Sequence, residues 1–300
     1  MKVFITGVSG FIGLNLIKYL KKSKYKILGL SRRKISFSNV KILNGDLNNL
    51  SLIKKRIIEF QPDVVVHLAW QDIPDYSKQK SELNLNLSIK FFDFLFEKTK
   101  CKKIIVTGSC WEYGKKNGVC REDDNLNISG YFSKAKISLY RYLKKKCKNL
   151  DIDFFWFRLF FVFGEGQKKS SLIPHCYNFI KNNIKLNINA PENRNDFIHI
   201  SDVVKILSLA MGKNFSPGIY NIGSGFSISV KKIIDIVQNQ TIGTNKLNLE
   251  KSNTQKTTKN NIENYWCDNT KLVKNFGFIF EKNLEQKIIQ YVNFLKKDLK

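Results

Sequence analysis

Apolar and polar positions divide the chain into two kinds of segment. Short apolar runs have the composition of strands that are buried on both faces of a parallel sheet. These predicted strands are Lys2–Thr6, Lys26–Leu30, Val40–Leu43, Val64–Leu68, Ile104–Val106 and Phe154–Leu159. The segments between them repeat apolar residues every three or four positions, which is the spacing of one helix face. The predicted helices are Ile12–Leu20, Leu52–Glu59, Leu83–Glu97 and Phe132–Lys145.

This alternation predicts an α/β fold, a doubly wound parallel sheet with helices on both faces. After about Gly164 the alternation becomes irregular, and Ser252–Asn264 is polar. We therefore expect a second, smaller C-terminal lobe. The predicted division assigns residues 1–163 and 191–223 to the sheet domain, and residues 164–190 and 224–300 to the lobe.

Composition excludes several classes of function. The 300 residues carry a formal charge of +26, mostly as short lysine runs at predicted helix ends, which is typical of solvated surfaces and predicts no nucleic-acid binding. The most apolar stretch, residues 154–163, contains Arg158 and is shorter than the roughly 20 residues of a membrane span. The chain opens on a predicted strand and not on a signal peptide, so we expect a cytoplasmic protein without membrane contact.

The six cysteines and three histidines are scattered along the chain, without a C-x-x-C pair. This spacing predicts neither a metal site nor a disulfide framework. His67 and His199 lie in apolar strand contexts, which favours structural roles over catalysis.

A glycine-rich turn follows the first predicted strand and leads into the first helix. Gly7, Gly10 and Gly13 recur at three-residue intervals, which lets the backbone approach a pyrophosphate that the helix N-terminus then holds. The alternative is a tight turn without a ligand. We favour a dinucleotide site of the Rossmann type, contacted by Gly7, Ser9, Gly10, Phe11, Ile12 and Gly13.

The end of the second strand bears on which dinucleotide binds. Ser31-Arg32-Arg33 contains no acidic residue to accept a hydrogen bond from a ribose 2′-hydroxyl. An arginine instead offers a charged, bidentate fork to a 2′-phosphate. We therefore favour NADP(H) over NAD(H), with Arg32 and Arg33 at the phosphate. The alternative is that both arginines belong to an exposed loop of a basic protein.

Further motifs follow the glycine turn in order. They are Gly45-Asp46-Leu47, His67-Leu68-Ala69, Ser109–Gly114, Asp196–Val203 and Tyr220–Gly225. Together they resemble the extended short-chain dehydrogenase/reductase family, and more narrowly its nucleotide-sugar epimerases, dehydratases and 4-ketoreductases. The resemblance implies a Rossmann cofactor domain, a substrate-binding lobe and a nucleotide-sugar substrate. It also implies cofactor contacts by Asp46, Leu47, Leu68, Ala69 and Asn84.

Ser109 is a candidate catalytic residue. It follows the predicted strand Ile104–Val106, at the carboxyl edge of the sheet where ligands collect in open α/β folds. Its hydroxyl can donate to a carbonyl oxygen that gains charge during reduction, and the resemblance implies a hydrogen bond to the reacting sugar oxygen. The alternative is a serine that only caps the strand end.

The family's catalytic Tyr-x-x-x-Lys motif is not matched. Tyr131 stands three residues before Lys134 and five before Lys136, although a spacing of four aligns two side chains on a helix. Only Phe132 lies four residues before Lys136. The apolar positions after the lysine favour Lys136 as the ribose-binding lysine, with Tyr131 reaching the site from a distorted helix start. The alternatives are a Tyr131–Lys134 pair, or a proton donor other than this tyrosine.

The resemblance also narrows the reaction. The family's dehydratases have an Asp-Glu pair where this chain has Cys110 and Trp111, and the acid/base Cys and His of its 3,5-epimerising reductases match Trp111 and Ser171. We therefore predict NADPH-dependent reduction of a keto-sugar nucleotide of the 4-keto-6-deoxy type, in cell-surface polysaccharide precursor synthesis. The alternatives are a 4-epimerase with bound NAD, and a non-catalytic cofactor-binding protein of the same fold.

Two departures from the family's sequence motifs concern residues that bind the substrate. Asn195 replaces an arginine, and Phe161 replaces an asparagine; positive charge could come instead from Arg194, Lys256 or Lys259. The predicted substrate contacts are Ser109, Trp111, Phe161 and Arg194. The family often dimerises through the helices predicted at Leu83–Glu97 and Phe132–Lys145, so we expect a homodimer.

Overall fold

The computed structural model describes residues 1–212, 215–243, 262–279 and 283–298, so Lys256 and Lys259 lie outside the described residues. The strands are β1 (Lys2–Thr6), β2 (Lys26–Ser31), β3 (Val40–Asn44), β4 (Val64–His67), β5 (Lys103–Ser109), β6 (Gly118–Cys120), β7 (Asp153–Leu159), β8 (Phe161–Phe163), β9 (Arg194–Asn195), β10 (Phe197–His199), β11 (Gly218–Ile222), β12 (Ile228–Ser229) and β13 (Asn264–Cys267). The helices are α1 (Phe11–Leu20), α2 (Leu50–Phe60), α3 (Lys78–Lys98), α4 (Gly130–Asn149), α5 (Leu172–Lys181), α6 (Ile200–Met211), α7 (Val230–Ile242), α8 (Thr270–Phe276) and α9 (Leu284–Asp298).

The main sheet confirms the predicted doubly wound fold. Its strand order is β11-β7-β5-β4-β1-β2-β3, and each neighbouring pair is parallel. The order reverses between β1 and β4, and ligands in such sheets bind in the crevice at the carboxyl ends of the strands beside that point. All six predicted strands are present; β5 extends to Ser109, which is therefore its last residue.

Helices cover both faces of this sheet. Helices α1, α6 and α8 pack on one face, and α2, α3 and α4 pack on the other, each through buried apolar side chains. The three- and four-residue spacing of those side chains is the signal that predicted α1 to α4. The two layers fix the ends of β1, β2, β4 and β5 at one edge of the sheet.

The remaining elements form a smaller layer beside the main sheet. Helices α5, α7 and α9 share a separate apolar core, next to the pair β8–β10 and the sheet β12-β9-β13-β6. Helix α8 departs from the predicted division at residue 224, because Leu272 and Phe276 are buried in the core of the main sheet. The Phe276 ring contacts Phe155 and Phe157 of β7, which draws this segment back to the sheet domain.

Within the described ranges, no helix is long and apolar enough to cross a membrane. Across the same residues, no group of three or more His, Cys, Asp and Glu side chains is arranged to hold a metal ion. The six cysteines are free thiols, and all are buried.

Candidate functional site

The glycine turn lies between β1 and α1, and its shape depends on missing side chains. Gly7 has a φ of +74°, and a Cβ there would lie 2.9 Å from the Ala69 nitrogen. A Cβ on Gly13 would lie 2.2 Å from the Gly7 oxygen. The turn can therefore be built only with glycine at these positions, because larger residues would collide with backbone that cannot move aside.

The N-terminus of α1 fits a pyrophosphate. Helix α1 begins at Phe11, and its N-cap Gly10 has no side chain with which to occupy the first N–H groups. No acidic residue lies in the first turn, so nothing there repels an anion. Of the other predicted contacts, Ser9 is partly exposed in the turn and Ile12 is the second residue of the helix.

Leu68 and Ala69 are held in place by the end of β1. Their N–H groups donate to Thr6 Oγ1 at 3.2 and 3.1 Å, and the Thr6 hydroxyl in turn donates to His67 Nδ1 at 3.0 Å. Burial lowers the pKa of His67 to about 3, so its imidazole is neutral. Nε2 donates to Ser88 Oγ at 3.1 Å, which makes His67 a structural residue.

Asn84 lies on α3 and uses its amide inside the protein. Its Oδ1 accepts from the Gln71 nitrogen at 2.8 Å, and its Nδ2 donates to the carbonyl oxygens of Gln71 and Lys80. These bonds give Asn84 an internal role, and its contact with the cofactor stays a prediction. Asn84 fixes the loop that follows β4, because a buried amide must find its partners within the protein.

The two arginines after β2 are exposed at the carboxyl edge of the sheet. Arg32 Nη1 donates to Gln71 Oε1 at 3.1 Å, and its Nε lies 3.9 Å from Asp46 Oδ2. Asp46 also caps the short helical turn Leu47–Asn49. Among the described residues, the Arg33 guanidinium has no hydrogen bond or ion pair, which leaves it available to an anion.

Ser109 keeps its hydroxyl proton available. Its Oγ accepts a hydrogen bond from the Trp111 nitrogen at 3.2 Å, so the capping role anticipated as an alternative is present. A hydroxyl that accepts one bond still has its own O–H to donate. The side chain is partly exposed at the end of β5, where it can meet a substrate oxygen.

A buried ion pair between Glu112 and Arg158 holds the backbone of Ser109, although no sequence motif marks Glu112 as a site residue. Glu112 accepts hydrogen bonds from the Ser109 nitrogen at 2.9 Å, from Trp156 Nε1 at 3.1 Å and from Arg158 Nε at 2.9 Å. Glu112 is 0% exposed and Arg158 1%. The sequence signal for this ion pair is Arg158 inside an otherwise apolar strand, because a buried charge requires a partner.

The lysine that enters the site is Lys136. Its Nζ donates to the Thr107 oxygen of β5 at 2.9 Å and lies 3.9 Å from the centre of the Trp70 ring. Burial lowers the pKa of this ammonium to about 7. Lys134, two residues earlier on α4, is exposed, so the structure places Lys136 and not Lys134 at the carboxyl end of β5.

The structure does not bring Tyr131 into this site. Gly130 has a φ of +81° at the start of α4, but the Tyr131 side chain remains 52% exposed. Phe132, one residue later, is 8% exposed and shares the helix face of Lys136. The start of α4 is therefore distorted, as expected, but the Tyr131 phenol does not turn toward the site.

Four rings meet at the mouth of the site, and we call them the aromatic cluster. The Phe132 ring lies 5.6 Å from Trp70, 5.0 Å from Tyr76 and 5.7 Å from Trp111, measured between ring centres. Tyr76 and Trp111 are 4.8 Å apart. The cluster brings the predicted residue Trp111 together with Tyr76, which no motif in the sequence marks as a site residue.

A cavity of ≈ 360 Å³ lies next to the aromatic cluster, with Trp111, Lys115, Phe161, Asn195 and Tyr265 among its lining residues. Arg194 is absent from that lining and donates from Nη2 to the Ser227 oxygen at 3.0 Å. Adjacent residues of a strand point to opposite faces, so Asn195 faces the cavity in place of the predicted Arg194. The buried Asn195 Oδ1 has no hydrogen-bond partner among the described residues.

Comparison with known sequences places these features in a family. The family model described as the NAD-dependent epimerase/dehydratase family matches residues 3–223. Among similar proteins is the dTDP-4-dehydro-6-deoxyglucose reductase of Escherichia coli. It is 30% identical over 255 residues, which cover 79% of this chain and 80% of the relative.

Solved structures with the same fold include a UDP-glucose 4-epimerase of Thermotoga maritima with UDP-glucose. Its TM-score is 0.86 at 19% identity, and the match covers 100% of both chains. The enzyme WbmG of Bordetella bronchiseptica, in complex with NAD, gives a TM-score of 0.83 at 20% identity and covers 99% of this chain and 94% of that one. At this level of identity both similarities concern the fold.

Proposed function

This chain belongs to the NAD-dependent epimerase/dehydratase family, as the motif resemblance predicted, and from that premise we propose that it reduces a 4-keto-6-deoxy sugar nucleotide with NADPH. The observation that carries the proposal is the convergence of two groups at the carboxyl end of β5. These are the Ser109 hydroxyl and the Lys136 ammonium, which is bonded to Thr107 two residues before Ser109. The reductase named among the relatives supports the same reaction.

Each part of the proposed site has a separate task. The glycine turn and the N-terminus of α1 hold the pyrophosphate, and Arg32 and Arg33 bind the 2′-phosphate. Lys136 binds the nicotinamide ribose, and the bound cofactor supplies the hydride. Ser109 donates a hydrogen bond to the keto oxygen, which stabilises the negative charge that develops there. The nucleotide of the substrate occupies the cavity lined by Phe161 and Asn195.

A 4-epimerase that recycles bound NAD is the second candidate, because structural neighbours include a UDP-glucose 4-epimerase and an enzyme in complex with NAD. The exposed arginines after β2 favour the reductase, since an NAD site needs an acceptor for the ribose 2′-hydroxyl. Asp46 offers a carboxylate close to this site, but its Oδ2 lies 3.9 Å from Arg32 Nε and faces the Arg32 guanidinium.

Reaction products separate the two candidates. We expect dTDP-4-dehydro-6-deoxyglucose to consume NADPH stoichiometrically and to yield a 6-deoxy sugar nucleotide, as followed by nuclear magnetic resonance. UDP-glucose incubated without a reductant should remain unchanged. Formation of UDP-galactose in that control would replace the reductase by the epimerase.

Arg33→Ala should weaken NADPH binding about tenfold or more, since a hydrogen bond to a charged group contributes about 1.5–3 kcal/mol. The affinity for NADH should not change, because NADH lacks the 2′-phosphate. Fluorescence titration of both cofactors measures this, with Lys34→Ala as the control for loss of one nearby exposed charge. Equal affinities of the unmodified protein for NADPH and NADH would contradict the cofactor assignment.

We further propose a homodimer formed through α3 and α4. These two helices, through which the resembled family often dimerises, pack side by side on one face of the main sheet.

A further inference from the structure

The site lacks the phenol that the reaction needs. Phe132 stands four residues before Lys136 and has no hydroxyl group, yet reduction of a ketone must deliver one proton to oxygen. The Phe132 ring is 8% exposed, and the Lys136 Nζ lies 5.8 Å from its centre. Any replacement acid must therefore reach the space in front of this ring from another element.

We propose that Tyr76 is the general acid of this site; the inference rests on the proposed reductase function. Tyr76 lies in the loop between β4 and α3, and its ring centre is 5.0 Å from Phe132 and 4.8 Å from Trp111. It therefore brings a phenol to the aromatic cluster from the loop that follows β4. The half-buried side chain remains accessible to a ligand.

The loop that carries Tyr76 is anchored on both sides of it. Asp75 Oδ1 accepts from the Ser77 nitrogen at 3.0 Å, and Ser77 Oγ caps α3 by accepting from the Lys80 nitrogen. Lys80 Nζ also pairs with Asp72 Oδ2 at 2.6 Å. These bonds hold the backbone around Tyr76, so its ring is positioned before substrate arrives.

The Tyr76 hydroxyl carries its proton in the free protein. Partial burial is the main cause that raises its pKa, so the hydroxyl keeps its proton at neutral pH. Among the residues that the structure describes, this hydroxyl has no hydrogen-bond partner. It can therefore donate to a substrate oxygen without first breaking an internal bond.

The other nearby phenols fit less well. Tyr131 is 52% exposed and makes no ring contact with the aromatic cluster in the described part of the chain. Tyr265 lines the cavity, but its hydroxyl lies 3.9 Å from Cys110 Sγ and its ring packs on Phe160 and Phe161. Of these three, only the Tyr76 ring packs against the Phe132 ring in the described part of the chain.

The proposed step balances in atoms and charge. The keto carbon gains a hydride from NADPH, which leaves as NADP⁺, and the keto oxygen gains the Tyr76 proton while Ser109 donates a hydrogen bond to it. The product is a secondary alcohol. The Tyr76 phenolate then takes a proton from water, which restores the site for another turnover.

Tyr76→Phe tests the proposal because it removes one hydroxyl and keeps the ring contacts. With dTDP-4-dehydro-6-deoxyglucose and NADPH, kcat should fall by about 10²–10⁴, the usual contribution of a positioned general acid. The KM of the sugar nucleotide, the affinity for NADPH and the melting temperature should be unchanged. Tyr131→Phe is the matched control and should keep full turnover.

Rescue distinguishes an acid from a packing residue. Phe132→Tyr, added to Tyr76→Phe, places a phenol four residues before Lys136 and should restore most of the lost turnover. Full activity of Tyr76→Phe overturns the proposal, and so does a loss that appears only in KM or that Phe132→Tyr leaves unrepaired. Loss of turnover in Tyr131→Phe with full activity in Tyr76→Phe assigns the proton to Tyr131 instead.

A binding measurement keeps this test separate from the proposed function. 3-Fluorotyrosine at position 76 should change its ¹⁹F resonance when NADP⁺ and dTDP-4-dehydro-6-deoxyglucose are added together. Lack of turnover in the unmodified protein, with the ¹⁹F shift present, contradicts the reductase and retains Tyr76 as a ligand contact. Turnover without a ¹⁹F shift overturns the inference about Tyr76 and leaves the reductase intact.

Discussion

Lys136→Met should lower turnover of the keto-sugar nucleotide by about 10²–10³, the scale on which one preorganised catalytic donor contributes. Lys136 Nζ is the only charge that α4 places against the carboxyl end of β5 in the described residues, and the Trp70 ring holds it at 3.9 Å. Methionine preserves most of the side-chain length and the contact with Trp70. Steady-state kinetics with NADPH and dTDP-4-dehydro-6-deoxyglucose measure the loss.

The same substitution should leave the melting temperature unchanged or higher. Burial of the Lys136 ammonium disfavours its charge, so a neutral side chain removes a free-energy cost from the folded state. Lys134→Met is the matched control, because Lys134 is exposed on the same helix and should tolerate the change. Retained turnover in Lys136→Met, or lost turnover in Lys134→Met, would assign the ribose-binding role to Lys134 instead of Lys136.

The pKa of Lys136 also predicts a pH dependence. Burial lowers it to about 7, and the nearby Glu112 carboxylate acts in the opposite direction. The charged fraction of Lys136 in the free protein therefore decreases as the pH rises through 7. Because kcat/KM reports the free enzyme, kcat/KM for NADPH should fall about tenfold per pH unit above that value. A profile that stays flat or rises there contradicts a role for the ammonium in binding.

The sheet could be predicted from sequence because its signals are local. Buried parallel strands are continuous apolar runs, and covering helices repeat their apolar residues at a fixed spacing, so β1 to β5, β7 and α1 to α4 were all expected. Helix α8 shows the limit of that signal. Its position in the chain predicts that it belongs to the smaller lobe, but contacts with the rings of Phe155 and Phe157 place it in the core of the main sheet.

The candidate site was predictable where a residue follows a strand or shares a helix face. The glycine turn follows β1 and Ser109 ends β5, as such rules predict, and the four-residue spacing of Phe132 and Lys136 predicted their common face. Tyr76 has no comparable signal, because its contact with Phe132 joins a loop to a helix far along the chain. Asn195 lines the cavity where Arg194 was predicted, because the face of the two-residue strand β9 that meets the cavity cannot be read from the sequence.

Glu112 connects fold and site. Its carboxylate neutralises Arg158 inside the protein and holds the Ser109 backbone nitrogen, so the same residue supports the core and the candidate catalytic serine. Arg158 Nη1 extends the network to the Tyr113 hydroxyl at 3.0 Å, and that hydroxyl donates to Asn221 Oδ1 on β11. The network therefore joins β5, β7 and β11 across the sheet.

Glu112→Gln should lower the free energy of unfolding by about 3–5 kcal/mol, which is the usual cost of leaving one member of a buried ion pair without its partner. Arg158 is 1% exposed and cannot regain water as compensation. The amide nitrogen of glutamine would also face the Arg158 Nε or the Trp156 Nε1, and all three are donors. Urea unfolding followed by tryptophan fluorescence measures the change.

Glu59→Gln is the control for this substitution, because Glu59 forms an ion pair with Arg56 on the surface of α2, at 4.0 Å and with both side chains more than half exposed. Exposed pairs contribute about 0–1 kcal/mol, so this variant should unfold almost as the parent does. Adding Arg158→Met to Glu112→Gln should recover part of the lost stability, since the unpaired charge is then gone. Equal stabilities of Glu112→Gln and Glu59→Gln would mean that another group neutralises the Arg158 charge. Glu112 would then no longer be the residue that holds Ser109 in place.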